Sequence, residues 1–255
     1  MTFKNIAITG LLAIGLMGIS SCSNDDSSLK ANNEEAMGKL NLASLKVVTT
    51  TIDVTPMSRA AQPDINDFFI VISDANGEAL QADFYGNLPE TVALPVTEDE
   101  EYTISVSTFK PDEVPDAEWE SAYFTGSQNF SIKPNVITDV PEISCVLKNI
   151  MVDVDFSEDL KPYLGDDITV TVRSTLTGAE LKFIPGNNET GYFYINDEAL
   201  TETRENSLIA TLDGTVDGNI ITDQLSFDDV ESGKYYKFTF GIKNPDSSDP
   251  WAENN

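Results

Sequence analysis

The sequence predicts an all-β chain of two tandem antiparallel β-sandwich domains, and three observations carry that expectation. Apolar and polar residues alternate with period two in short runs along most of the chain, the signature of half-buried strands. The runs follow one another closely, with turn residues between them and no βαβ alternation, which favours stacked antiparallel sheets over a parallel sheet flanked by helices. No stretch keeps a helical period for more than two turns.

The N-terminus comes first in the chain. Lys4 supplies a short positive region, and an apolar stretch from Ile6 to Ile19 follows without a charged residue. That length suits a signal-peptide core and falls short of the roughly 20 apolar residues of a spanning helix. The stretch ends in Ile19-Ser20-Ser21-Cys22. Small residues before a cysteine resemble the bacterial lipobox, so residues 1–21 are expected to be a lipoprotein signal peptide and Cys22 the lipidated residue. An ordinary secretory signal beside an incidental cysteine is the alternative. Ser23-Asn24-Asp25-Asp26 resembles the acidic export signal that sends Bacteroidota lipoproteins to the outside of the outer membrane; a soluble acidic tether is the plainer account. Residues 22–37 are polar, almost free of large apolar side chains, and expected to be a flexible acidic linker.

The strands follow in order. Leu40-Leu42 with Leu45-Val47 gives the first, and Phe69-Ile70-Val71-Ile72 leads into Asn76-Gly77, a hairpin signal between β-rich segments. Val92-Leu94, Tyr102-Ile104-Val106, Phe130-Ile132 and a run from Val136 to Leu147 complete the first half. The second half offers Val152-Val154-Phe156, Ile168-Val170-Val172, Leu181-Phe183, Tyr192-Tyr194, Leu208-Ala210-Leu212 and Tyr236-Phe238-Phe240. Ile143, Cys145 and Leu147 share one parity and Ile150, Val152, Val154 and Phe156 the other. A strand cannot exchange its buried face without a kink or a new partner, so a junction is expected at Lys148-Asn149. The expected domains are 38–148 and 149–245, followed by a polar tail, 246–255. Each half pairs a hairpin, turning at Gly77 or Gly178, with a later strand that opens on tyrosine, Tyr102 or Tyr235. A degenerate duplication and a shared packing demand account for this equally well.

Charge and residue types narrow the chemistry. Lys and Arg number 15 against 43 Asp and Glu, a formal net charge of −28. Nucleic acid and anionic head groups should repel such a body, so membrane attachment falls to the acyl chains on Cys22. The chain has no histidine, and therefore no Ser-His-Asp or Cys-His arrangement and no His-bearing metal site. With Cys22 lipidated, Cys145 has no disulfide partner, and its parity marks it as a buried structural thiol. No glycine-rich phosphate loop occurs, and neither cofactor nor metal is expected. Carboxylates are so plentiful that composition leaves a glycosidase-like acid/base pair open. The tightest cluster, Asp153 and Asp155 with Glu158 and Asp159, alternates with apolar residues, which places Asp153 and Asp155 on a solvated strand face. A calcium loop of the EF-hand kind would need further oxygen ligands and a central glycine. The loop Glu113 to Tyr123, with Trp119 and Tyr123 and followed by Phe124, supplies candidate ligand contacts, because loop aromatics stack on sugar rings or bury in partner proteins. Packing against the sandwich edge is the competing role for all three.

Two longer stretches are recognisable: Ala122-Tyr123-Phe124-Thr125-Gly126-Ser127-Gln128-Asn129-Phe130-Ser131-Ile132, and Ile143-Ser144-Cys145-Val146-Leu147-Lys148-Asn149-Ile150-Met151-Val152 with Phe156-Ser157 beyond. Together with Leu94-Pro95 and Gly191-Tyr192-Phe193, they make the chain resemble a large family of Bacteroides cell-surface lipoproteins, a domain of unknown function often described as fimbrillin-like. The resemblance runs from about Gly38 to Lys243 and departs at Thr97-Glu98-Asp99-Glu100, where relatives tend to have a glycine turn. It implies two sandwiches of the fimbrillin type, Ig-like or transthyretin-like, in proteins that assemble into or cap surface fibres. Some such proteins are cut after an arginine near the end of their first strand, and Arg59 occupies a comparable polar loop; an exposed loop arginine needs no such purpose. The resemblance further implies that Tyr123 and Phe124 plug the sandwich edge. The function expected from all this is a non-enzymatic, surface-exposed lipoprotein of the outer membrane, a fimbrial subunit or fibre-associated adhesin. Its expected partners are the membrane through the lipid, other fimbrial subunits, and a surface glycan or protein ligand. A glycan-binding lipoprotein of a polysaccharide-uptake system is the alternative, and a carboxylate-based hydrolase stands third.

Overall fold

The computed structural model describes residues 36–50, 63–96, 101–187, 189–195 and 206–242. Cys22, Arg59, the acidic turn at 97–100 and the tail 246–255 lie outside the described residues. Within them the chain is all-β, with helical structure confined to three-residue 3-10 turns such as Leu42–Ser44 and Lys161–Tyr163.

The first half builds two sheets from β1 (Met37–Asn41), β2 (Val47–Thr50), β3 (Phe69–Ser73), β4 (Ala79–Phe84), β5 (Thr91–Pro95), β6 (Tyr102–Ser107), β8 (Phe124–Phe130), β9 (Ile137–Asp139) and β10 (Ile143–Leu147). One has the order β5-β1-β9 and the other β2-β10-β8-β6-β3-β4. Period-two alternation decides which side chains face inward: Ile70, Ile72, Ile104, Val106, Ile143, Cys145 and Leu147 from the larger sheet meet Leu40, Val92 and Leu94 from the smaller. The hairpin at Asn76-Gly77 forms between β3 and β4. Gly77 takes a positive φ of 81°, and the Asp74 carboxylate accepts from the amides of Asn76 and Glu78 at 3.0 and 2.8 Å, the local side-chain bonding that makes aspartate a turn former. At Gly126 on β8 a Cβ would lie 2.3 Å from the Ser144 carbonyl oxygen, so only glycine lets β8 and β10 approach.

The second half stacks β17 (Tyr235–Phe240), β11 (Asn149–Phe156), β14 (Gly191–Tyr194) and β7 (Ala117–Trp119), in that order, against β13 (Glu180–Phe183), β12 (Thr169–Ser174), β15 (Leu208–Val216) and β16 (Asn219–Phe227). Ile150, Val152, Phe193, Phe238 and Phe240 from the first of these sheets bury against Val170, Val172, Phe183, Leu208 and Leu212 from the second.

Two features depart from expectation. Pairing is not antiparallel throughout: β1 with β9, β2 with β10 and β11 with β17 are parallel. Parallel neighbours need long connections, and each of these pairs joins segments far apart in the chain. The segment expected to be a loop, Glu113 to Tyr123, also contains a strand. β7 leaves the first half and pairs with β14 of the second, Gly191 opposite Trp119.

At Lys148-Asn149 a single residue separates β10 from β11. The Lys148 amide donates to the Tyr123 carbonyl at 2.8 Å, and Ser232 Oγ donates to the Lys148 carbonyl at 3.0 Å. Asn149 is buried; its side-chain oxygen accepts from the Tyr123 amide, and its carbonyl accepts from the Gly233 amide at 2.9 Å. Met151 and Tyr192 belong to the first hydrophobic cluster although they sit on strands of the second half, while Ala117 and Trp119 pack against the second cluster.

Candidate functional site

β11 is eight residues long, but β14 accompanies only its first half, from Asn149 opposite Tyr194 to Val152 opposite Gly191. On the other side β17 pairs with β11 as far as Phe156 opposite Phe240. Gly191 marks where β14 begins. A Cβ there would lie 2.8 Å from Leu181 and 2.9 Å from Phe183, so glycine lets the chain pass beneath β13. Beside the half of β11 that β14 does not accompany lies an open cleft of about 670 Å³. Its walls include Asp153, Asp155, Lys161, Ile168, Ile184 and Lys237.

Charges are arranged in two different ways along the β11 wall. Asp155 lies 2.9 Å from Lys237 and 3.7 Å from Lys161, which also reaches Glu158 at 2.6 Å. Partial burial pushes the Asp155 carboxyl upward, but the bonds from Lys237 and the Phe156 amide outweigh it and hold it below 3.8. Asp153 accepts instead from two neutral donors, the Thr190 hydroxyl at 2.9 Å and the Tyr235 hydroxyl at 2.8 Å. Among the described residues no lysine or arginine forms an ion pair with it. Close by, burial pushes the Tyr192 phenol up to about 12, reinforced by the Glu120 and Asp153 carboxylates.

The carboxylate cluster expected on a solvated strand face is thus divided. Asp153 and Asp155 are half-buried in the cleft, whereas Glu158 and Asp159 are exposed. Among the described residues no group of three or more acidic or cysteine side chains could hold a metal ion. The candidate ligand contacts are turned inward. Phe124 is 1% exposed and belongs to the first core, and Tyr123 is 6% exposed with its ring 5.4 Å from that of Tyr194. Trp119 is half-buried on β7, edge-on to Phe183 at 4.6 Å. Phe124 and Tyr123 are thus packed inside the protein, whereas Trp119 keeps part of its surface exposed beside Phe183. Cys145 is fully buried, and burial pushes its thiol up to about 11.

Lys161, Ile184 and Lys237 escape sequence reasoning. Lys237 had a usable signal, since it alternates with Tyr236 and Phe238 and so falls on the same side of its sheet as Asp155. Lys161 and Ile184 lie in connections, where period carries no information.

A family model for a domain of unknown function, DUF4493, matches residues 36–251. The chain belongs to this family. No curated protein sequence matches this DUF4493 chain. Among solved structures it is similar to a fimbrial assembly protein from Parabacteroides distasonis, with a TM-score of 0.45 and 12% identity over 80% of this chain and 90% of that one. It is also similar to a candidate cell adhesion protein from Bacteroides ovatus, with a TM-score of 0.43 and 10% identity over 79% and 92%. A candidate polysaccharide-binding protein from Bacteroides thetaiotaomicron gives a TM-score of 0.38 and 15% identity over 68% and 76%.

Proposed function

We propose that this DUF4493 chain is a non-enzymatic, surface-exposed lipoprotein of the outer membrane, held by lipid on Cys22, that serves as a fibre subunit or fibre-associated adhesin. The observation that supports this most is two of the sheet edges. β4 ends the six-stranded sheet and β16 ends the sheet opposite β11, with no further strand beside either among the described residues. β16 is nine residues long and aligned with β15 along its whole length, and Ile220 near its tip is 89% exposed. An edge of that length presents a row of free amides and carbonyls able to recruit another strand.

The test is fractionation of cells that carry a tagged copy. The native chain should incorporate labelled fatty acid, resist release by salt, and appear in the fraction sheared from the surface. Cys22→Ser should lose the label and leave the membrane. Native protein found unlabelled in the soluble periplasm would overturn the anchor, and its absence from sheared material would overturn the fibre role.

A further inference from the structure

We propose that the outward face of the six-stranded sheet is a docking surface for a second copy of this chain. Pairing through this face uses neither a free sheet edge nor the lipid, so it holds or fails independently of the fibre role and the anchor.

Register supplies the first argument. One row crosses all six strands: Val48 lies opposite Ser144, Ser127 opposite Ser105, and Val71 between Ser105 and Ala82. Ser144 and Ser127 are neighbours because each lies two residues along from the Val146–Thr125 pair. The next row holds Thr50, Val146, Thr125, Phe69 and Phe84, and a third holds Asn129, Thr103 and Ser73. These residues alternate with core residues such as Ile70, Ile104 and Cys145 and so point outward. None of them is charged, in a chain of which 23% is charged. Exposed charges do stand on strands of the other three sheets, as at Lys39, Arg173 and Lys237. Charge returns at the rim of this face, with Lys46, Glu142 and Glu101 just before β2, β10 and β6. A polar rim around an uncharged centre is the anatomy of a protein interface.

The identity of the partner follows from charge. At −28, copies of the chain repel one another wherever like-charged surfaces meet. On this face they can approach with no charge between them. A surface of one sign is never complementary to itself, whereas a hydroxyl both donates and accepts. Serines and threonines on one copy are therefore answered by the same residues on the other, across a two-fold axis. Val48 and Val146, 40% and 37% exposed, supply apolar area that pairing would remove from water. Most of the side chains are small, which suits two sheets stacking at about 10 Å. Six strands spaced by about 4.8 Å, each about five residues long, make a face of about 500 Å². Two copies would bury about 1,000 Å² together, the size of a weak, reversible contact.

The experiment is sedimentation velocity on detergent-solubilised full-length protein, with the detergent density-matched. A reversible monomer–dimer equilibrium in the micromolar range should appear. It should strengthen with added salt, because salt screens the repulsion between copies and the face holds no ion pair to weaken. Ser127→Lys, with unchanged circular dichroism, should weaken the dimer by about tenfold or more, since it buries an unpaired charge. Thr91→Lys makes the same charge change on β5, in the other sheet of the same half, and should leave the dimer as strong or stronger. In a second readout, Ser127→Cys should lose reactivity towards a bulky maleimide as protein concentration rises through the dimer range, while Thr91→Cys keeps its own. A single monomeric species up to about 100 μM would overturn the proposal. So would a dimer that Ser127→Lys weakens no more than Thr91→Lys, or one that shields Thr91→Cys instead of Ser127→Cys. A neutral oligosaccharide that shields Ser127→Cys and dissolves the dimer would assign the face to a glycan and overturn it as well.

Discussion

Cys145 shows how much one position can report. It stands on β10 between Ile143 and Leu147, fully buried, with Sγ 3.9 Å from the Val106 carbonyl oxygen. Its thiol, raised by burial from 9.0 to about 11, supplies about 100-fold less thiolate at a given pH below both values, and the thiolate is the reactive form. Native protein should therefore react with a thiol reagent at least about 100-fold more slowly than protein unfolded in guanidinium, since steric burial adds to the proton effect. Equal rates would show that β10 opens freely or that its register is wrong. The burial of Cys145 was legible because a period-two run surrounds it. Asn149 was not legible. A polar residue earns no inward position from periodicity, and its burial depends on Tyr123 and Gly233, which come from elsewhere in the chain.

At the scale of elements, the hairpin of β15 and β16 turns on Asp217-Gly218, with φ of 48° and 74°. Two successive positive values suit a type I′ turn, whose twist matches the flanking strands, and glycine adopts them with least strain. Gly218→Val should cost about 1–2 kcal/mol, because a β-branched residue is strained at positive φ; nothing lies within 4 Å of the added Cβ to complicate the result. Hydrogen exchange should accelerate in β15 and β16 while β3 and β6 keep their rates; a uniform acceleration would mean that the turn is not the seat of the strain. That dipeptide was also the missed signal for β16, whose mixed sequence from Asn219 to Phe227 hides a strand with one solvated face. β7 had no comparable signal. Three residues in a segment rich in proline and acid become a strand only because β14 offers them an edge, so the information lies in the partner. The hairpin at Asp74–Glu78 was legible for the opposite reason: its turn residues and both its strands are local.

For the molecule as a whole, acid is the informative stress. The Glu78 amide holds the Asp74 carboxyl below 3.8, the Asn87 side chain does so for Asp83, and the Thr215 hydroxyl and amide do so for Asp167. Asp155 is held down by Lys237 against the upward push of burial. All four are depressed in the folded state, so the unfolded chain takes up protons first as pH falls. Their contribution is complete above the ordinary carboxylate range and is lost as pH drops below about 4. Net charge works the other way between pH 7 and 5, where partial protonation relieves self-repulsion in a chain of −28. The thermal midpoint should hold or rise from pH 7 to 5 and fall from pH 4 to 2.5. A midpoint at pH 2.5 equal to that at pH 5 would show that these bonds do not favour the native state. The all-β class and most strand positions were legible from alternation, but the three parallel pairs were not, because each is decided by segments whose meeting no local pattern records.

The run of β10 into β11, the parallel pairing of β11 with β17, and the crossing of β7 together have a mechanical meaning. The start of β11 is tied to the first stack through Lys148, and the end of β17 leads out of the second. A pull between those two points acts along neighbouring parallel strands in opposite directions, so their hydrogen bonds bear the load together in shear instead of parting one after another like a zip. β7 adds a second tether, because drawing the two cores apart must also strip Ala117–Trp119 from β14. Tension applied between those points is met in shear beside the place where the sequence changes the face it buries.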